Sequence, residues 1–169
     1  MIKRQKVIAI DPDMKKSGVA TILPSGEIEQ LKSMSVTKLT AWIKGNPDCI
    51  FSIEDVNKHG TIYKHNRKGG RGVQARIAQN VGMVKAAGSM IAEIVEDATG
   101  RPPIMAPLGI GKQVKRNAKL FNELTGWQGK SNEDTRDAAC IGRWVASRLR
   151  EGWVVDNKTG QLVRPVSSK

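Results

Sequence analysis

The sequence predicts an α/β domain of five strands flanked by helices, with a small hairpin at its C-terminal end. Three observations carry that prediction. The short apolar run Val7–Ile10 stops at once in Asp11-Pro12, as a central strand does when its hydrogen-bond ladder ends. A second run, CIFSIE at 49–54, stops in a carboxylate in the same way. Between these strands and the last one lies a long helical repeat of apolar residues, the alternation of elements expected of an α/β chain.

Each element has its own signal. A first strand spans 6–11, a second 18–23 beginning at Gly18, and a third 27–34 after the tight turn Pro24-Ser25-Gly26. A short helix at 36–45, capped by Ser35 or Thr37, turns Leu39, Trp42 and Ile43 inward, and the strand at 49–54 follows. Residues 56–72 hold too many Gly, Lys, Arg and Asn for a regular element, and Lys68-Gly69-Gly70-Arg71-Gly72 reads as a mobile basic loop. From 73 to 98, Ile77, Val81, Val84, Ile91, Ile94 or Val95, and Ala98 recur at helical spacing until Gly100 stops them. Gly82, Ala86, Ala87 and Gly88 make one side of that helix small enough for a sheet or second helix to approach. A strand at 103–106 and a basic helical stretch within 110–125 come next. The last helix, capped by Asn132 or Ser131, runs to about Arg150 with Ala138, Ile141, Val145 and Leu149 inward. WVVDNKTGQLVRPV then forms the hairpin. Met83, Met90 and the four tryptophans are expected in the core, and Trp127 and Tyr63 are also placed to stack on bases. Residues 1–169 fit a single domain, with a core at about 6–150 and a hairpin and tail at 151–169.

Charge locates the partner. The formal net charge is +12, and two stretches free of acid supply all of it. The first, 56–92, contains Lys58, Lys64, Arg67, Lys68, Arg71, Arg76 and Lys85; the second, 98–122, contains Arg101, Lys112, Lys115, Arg116 and Lys119. The rest of the chain balances 16 bases against 16 acids. Such segregation is the footprint of a phosphate-backbone binder rather than of a diffusely solvated surface. Two cysteines, Cys49 and Cys140, give neither a disulfide framework nor zinc spacing, which fits a reducing compartment. The absence of a long apolar run or a small-residue cleavage site adds the expectation of a cytoplasmic protein with no membrane partner.

Four acids are placed to converge. In open α/β sheets, sites form at the carboxyl ends of strands. Asp11 and Glu54 occupy those ends of the first and fourth strands, which can lie adjacent at the sheet centre. Asp134 and Asp137, three apart, face one side of the last helix's first turn. Four carboxylates together repel unless cations neutralise them. Hard oxygen ligands without His or Cys favour magnesium or manganese, and two such ions roughly 4 Å apart activate water and stabilise the leaving oxygen in phosphodiester cleavage. Asp13 and Asp55 are neighbouring acids expected to turn elsewhere and to be structural or to support the site from behind. The Gly109-Ile110-Gly111-Lys112 segment lacks the full phosphate-loop pattern. His59 and His65, in the basic loop, lack ligand partners and are expected to face solvent or DNA.

Four stretches in this order, IDPDMKKSGVA, SIEDV, the long helix after a basic loop, and NEDTRDAACIG, resemble the RuvC family of Holliday junction resolvases, bacterial and phage-encoded, over residues 6–150. The resemblance implies a ribonuclease H-like fold with a mixed five-stranded sheet, a homodimer formed through helix 73–98, and Mg2+, with Mn2+ able to substitute. It implies a crossover junction endodeoxyribonuclease that hydrolyses opposing strands of four-way or other branched DNA. Asp11, Glu54, Asp134 and Asp137 would be the catalytic and metal-binding residues, with two ions per site. Lys58, Tyr63, Lys64, Arg67, Lys68, Arg71, Arg76, Lys112, Lys115, Arg116 and Lys119 are the candidate DNA contacts, Lys115 or a neighbour nearest the scissile phosphate. Asp13 replaces a glycine usual in the family's first motif, and Asn57 stands where bacterial members carry an aromatic residue. Two rivals are a less selective nuclease for forked or flap DNA and a non-catalytic branched-DNA-binding module, which would not need the acids. An actin-like ATPase would need phosphate loops and a longer chain.

Overall fold

The computed structural model describes residues 5–58 and 70–165. Strands β1 (Val7–Asp11), β2 (Ser17–Ile22), β3 (Ile28–Met34), β4 (Ile50–Glu54) and β5 (Ile104–Ala106) form one sheet in the order β3-β2-β1-β4-β5. β1 pairs antiparallel with β2 and β2 with β3, whereas β1–β4 and β4–β5 are parallel. This mixed sheet is the predicted one, with β1 at its centre. The helices are α1 (Val36–Lys44), α2 (Arg71–Thr99), α3 (Lys112–Lys115), α4 (Ala118–Thr125) and α5 (Glu133–Arg150), and a 3-10 turn spans Val56–Lys58.

Side chains alternate across a strand, so β1 and β4 feed two cores. Ile8, Ile10, Phe51 and Ile53 pack beneath α1 and α2 with Leu39, Ile43, Ile91 and Val95. Val7 and Ile50 face α5, joining Ala138, Val145 and Phe121, while Ala9 meets Ile141. Burial on both faces explains why these strands read as continuous apolar runs. Each such fully buried Ile, Val or Phe contributes about 1.5–3 kcal/mol.

α2 divides into two halves. Ala87, Gly88, Ile91 and Val95 are buried, Gly88 lying against Val56 and Pro12. The first half runs past the body of the domain: Val73 is 53% exposed, and among the described residues nothing lies within 4 Å of where a Cβ on Gly82 would stand. The expectation that Met83 belongs to the core is therefore corrected, since it is 40% exposed. Helical periodicity places it on the same stripe as core residues, but the sheet does not extend under that turn. The four tryptophans are only partly buried and edge the two cores instead of filling them. The basic stretch at 110–125 is two helices, because Arg116 closes one and Asn117 caps the next by accepting the Leu120 N–H. Ser35 holds the N-cap position of α1 without a side-chain cap bond.

β5 has prolines on both sides, Pro102-Pro103 before it and Pro107 after it. The C-terminal hairpin, β6 (Val154–Val155) with β7 (Leu162–Val163), seats Gly160 against the Pro103 carbonyl. Arg148 and Arg164 each lie 5.2 Å from the Trp153 ring, holding the hairpin to α5 by cation–π contact. No described helix is long and apolar enough to cross a membrane.

Candidate active site

Strand alternation decides where the first two acids point. Asp11 shares its face with Val7 and Ala9, and Glu54 shares its face with Ile50 and Ser52, so both turn toward α5. The last parallel pair is Ile10 with Ile53, one residue before each carboxylate. Asp13, beyond the end of β1, accepts the N–H groups of Lys15 and Lys16 at 2.7 and 3.1 Å and shapes the β1–β2 turn. Asp55 donates its backbone N–H to the Ala106 carbonyl at 2.8 Å.

The other two acids are delivered by the start of α5. Asn132 accepts the Thr135 N–H at 2.9 Å, and the Thr135 hydroxyl accepts the Asn132 N–H at 2.9 Å, a reciprocal cap. The Asn132 amide also donates to Ser33 Oγ at 3.0 Å, fixing the cap to β3. Beneath this turn, the antiparallel partner of Asp11 is Gly18. A Cβ at Gly18 would run into the Asp134 carbonyl, so only glycine lets the helix settle on β2 at this point.

The acids sense one another strongly. Asp11 is pushed up to about 8, first by burial and then by the charge of Asp137, with Glu54 and Asp134 adding to the effect and Lys115 opposing it. Asp134 is also raised, chiefly by burial. Lys115 reaches in from α3 and forms an ion pair with Asp137, which is only 6% exposed. Burial acts to lower the Lys115 ammonium's pKa, but the hydrogen bond and charge of Asp137, followed by Asp11 and Glu54, hold it above its ordinary value. A cleft of about 550 Å³ opens here, lined by Glu54, Leu108, Gly109, Ile110, Lys112, Lys115, Arg116 and Asp137.

Among the described residues, no group of three or more His, Cys, Asp or Glu side chains is gathered closely enough to hold a metal ion as it stands. The donor set nevertheless fits a hard divalent cation in type and in charge. It is made of carboxylates, and the raised Asp11 and Asp134 mark negative charge that such a cation would relieve.

Of the candidate DNA contacts, Lys112, Lys115 and Arg116 line the cleft. Arg71 and Arg76 are exposed on the free half of α2, and Lys119 is exposed on α4 within 4.0 Å of Glu123. Tyr63, Lys64, Arg67 and Lys68, with His59 and His65, lie outside the described residues, as does the side chain of Lys58. If Lys112 and Arg116 track phosphates, replacing both by Ala should lower the log-log salt slope of DNA binding by about 1.8, about 0.9 per contact. A salt titration of binding checks this, and an unchanged slope would remove both from the interface. Sequence reasoning did not find Gly18 as a site determinant, nor the buried Arg136 beside Asp137.

No protein-family profile and no curated protein matches the chain by sequence. Its fold has a ribonuclease H-like architecture and is similar to that of solved RuvC structures. Two solved structures carry this. Thermus thermophilus RuvC in complex with a Holliday junction substrate superposes with a TM-score of 0.58 at 15% identity, covering 88% of this chain and 97% of that one. The structure of Thermus thermophilus RuvC alone gives 0.53 at 16% identity with the same coverage.

Proposed function

We propose that this single-domain chain is a magnesium-dependent endonuclease that resolves Holliday junctions by hydrolysing phosphodiester bonds in opposing strands, acting as a homodimer. The observation that supports it most is the convergence of two strand-end acids, Asp11 and Glu54, with Asp134 and Asp137 of α5, beside a cleft lined with Lys112, Lys115 and Arg116. A DNA-binding module without chemistry would gain nothing from a buried carboxylate held at a pKa of about 8.

In this reading Asp11, Glu54, Asp134 and Asp137 would hold the metal, which when bound would activate water and stabilise charge at the phosphate. Lys112 and Arg116 hold the DNA backbone along the cleft. Lys115 neutralises Asp137 before substrate arrives and places a positive charge against the phosphate oxygens once it does. The Asn132–Thr135 cap and the Gly18 seat keep the two helix acids at the strand ends while the backbone is bound.

Cleavage of end-labelled synthetic four-way junctions, with magnesium present and absent, tests the proposal. Paired cuts in opposing strands that need the metal are expected, at rates above those on three-way junctions and flaps. Equal cutting of all three substrates would assign a less selective nuclease instead, and no cutting of any would remove the catalytic reading.

The homodimer is drawn from the free half of α2, which presents Val73 and Met83 to solvent in the single chain. Replacing both by Asp should shift sedimentation from dimer to monomer and abolish paired cutting, while leaving the circular dichroism of the domain unchanged. A wild-type chain that sediments as a monomer both alone and on junction DNA would refute the dimer.

A further inference from the structure

Two successive residues of α5 grip the same residue of α3 from its two ends. Asp137 takes the Lys115 side chain in an ion pair. Arg136 donates Nε–H to the Lys115 backbone carbonyl at 2.7 Å, and its Nη1 donates to Ser131 Oγ at 3.1 Å. Arg136 is 6% exposed, an unusual position for a guanidinium, and it has no ion-pair partner among the described residues. Burying that charge is costly, and neutral acceptors offset it only in part. A cost of that kind would ordinarily be avoided by an uncharged side chain, which here would take from the Lys115 carbonyl the donor that Arg136 supplies. The one-turn α3 has no side-chain cap and buries none of its residues; the Lys115 N–H bonds the Gly111 carbonyl at 3.0 Å, and Arg136 adds the hold on its carbonyl side.

We infer that Arg136 is a positioning residue, a clamp that fixes the backbone of Lys115 so that its ammonium is aimed at the acidic cluster. The fork geometry suits this role, because it bridges the segment before α5 and the end of α3 at fixed angles, which a lysine cannot reproduce. Its consequence for catalysis rests on the nuclease reading above; its consequence for Lys115 does not.

Two measurements separate these. Limited reductive methylation of the full-length protein with formaldehyde, quantified residue by residue by mass spectrometry, should label Lys115 slowly and Lys119, whose side chain is 90% exposed, fast. In Arg136→Gln and Arg136→Lys the Lys115 rate should rise about tenfold against Lys119, since an ion pair freed of its backbone anchor is weaker by roughly that factor. Junction cleavage by the same variants should fall in kcat by about 10–100-fold with little change in KM, the pattern of a misplaced group. Placed on a Lys115→Ala background, the Arg136 substitutions should cost nothing further, because the residue acts through Lys115. Unchanged Lys115 labelling in variants that retain the wild-type circular dichroism would overturn the clamp, even if cleavage falls. A multiplicative loss in the double variant would likewise reduce Arg136 to a structural part of the fold. Should the wild-type protein cut no junction, the labelling result still decides the clamp while the nuclease reading fails alone.

Discussion

Asp11→Asn should abolish cleavage, leave junction binding close to wild type, and raise the thermal midpoint of the metal-free protein at neutral pH. The first two follow from removing a metal ligand of nearly unchanged volume. The third follows from linkage. Asp11 is held at about 8 in the folded chain against 3.8 as its ordinary value, so the native state binds the proton more tightly than the unfolded one. Its contribution is fully favourable below the unfolded value and is lost as pH rises from about 4 through about 8. Asparagine carries no charge to desolvate, so the gap between variant and wild type should widen across that window. It should reach on the order of 2–4 kcal/mol near its upper end. Thermal melts in EDTA at steps between pH 4 and 8 measure this. A gap that stays constant or reverses would show that Asp11 is not the strained acid, and wild-type turnover in magnesium would remove it from the site.

Gly18→Ala should be nearly as damaging without touching any acid. The added methyl group meets the Asp134 carbonyl, which is backbone and cannot rotate away, so the first turn of α5 must lift from β2. Overpacking of this kind costs about 1–3 kcal/mol or somewhat more against rigid backbone. The displaced turn carries both Asp134 and the Asn132–Thr135 cap with it. Cleavage should drop by about 10²-fold or more even at temperatures where the variant remains folded. Chemical denaturation and single-turnover cleavage check the two parts separately, and a stable variant with full activity would show that α5 has room to shift.

The architecture was legible because its signals are local. Alternation along Val7–Asp11 and Ile50–Glu54 places both acids, and the i, i+3 spacing of Asp134 and Asp137 places the other pair on one side of α5. What sequence left open depends on contacts between distant segments. Lys112, Lys115 and Lys119 are equivalent by composition, and only the packing of the glycine-punctuated stretch 107–117 against α5 sends Lys115 to Asp137. An arginine in the second position before a buried helix face reads as solvated charge, so Arg136 gave no sign of its burial. Met83 erred in the other direction: its periodicity was sound, but the sheet ends before it. The four acids were expected to hold metal together, whereas among the described residues no three such side chains are gathered closely enough to do so as they stand, and Lys115 pairs with Asp137.

The prolines around β5 have a further consequence for how copies of this chain can meet. β5 is the edge of the sheet, and an edge strand with free backbone groups invites another strand to pair with it. Here the edge is three residues long, proline on each side removes the donors that would extend the pairing, and the hairpin turn at Gly160 rests on the Pro103 carbonyl. At the opposite edge, β3 carries Glu29 and Lys32, charged side chains of the kind that discourage strand pairing. The β5 border is short and blocked and the β3 border is charged, so both are poor templates for growing one continuous sheet between copies. A concentrated solution should accordingly resist fibril formation even when destabilised at the α2 surface.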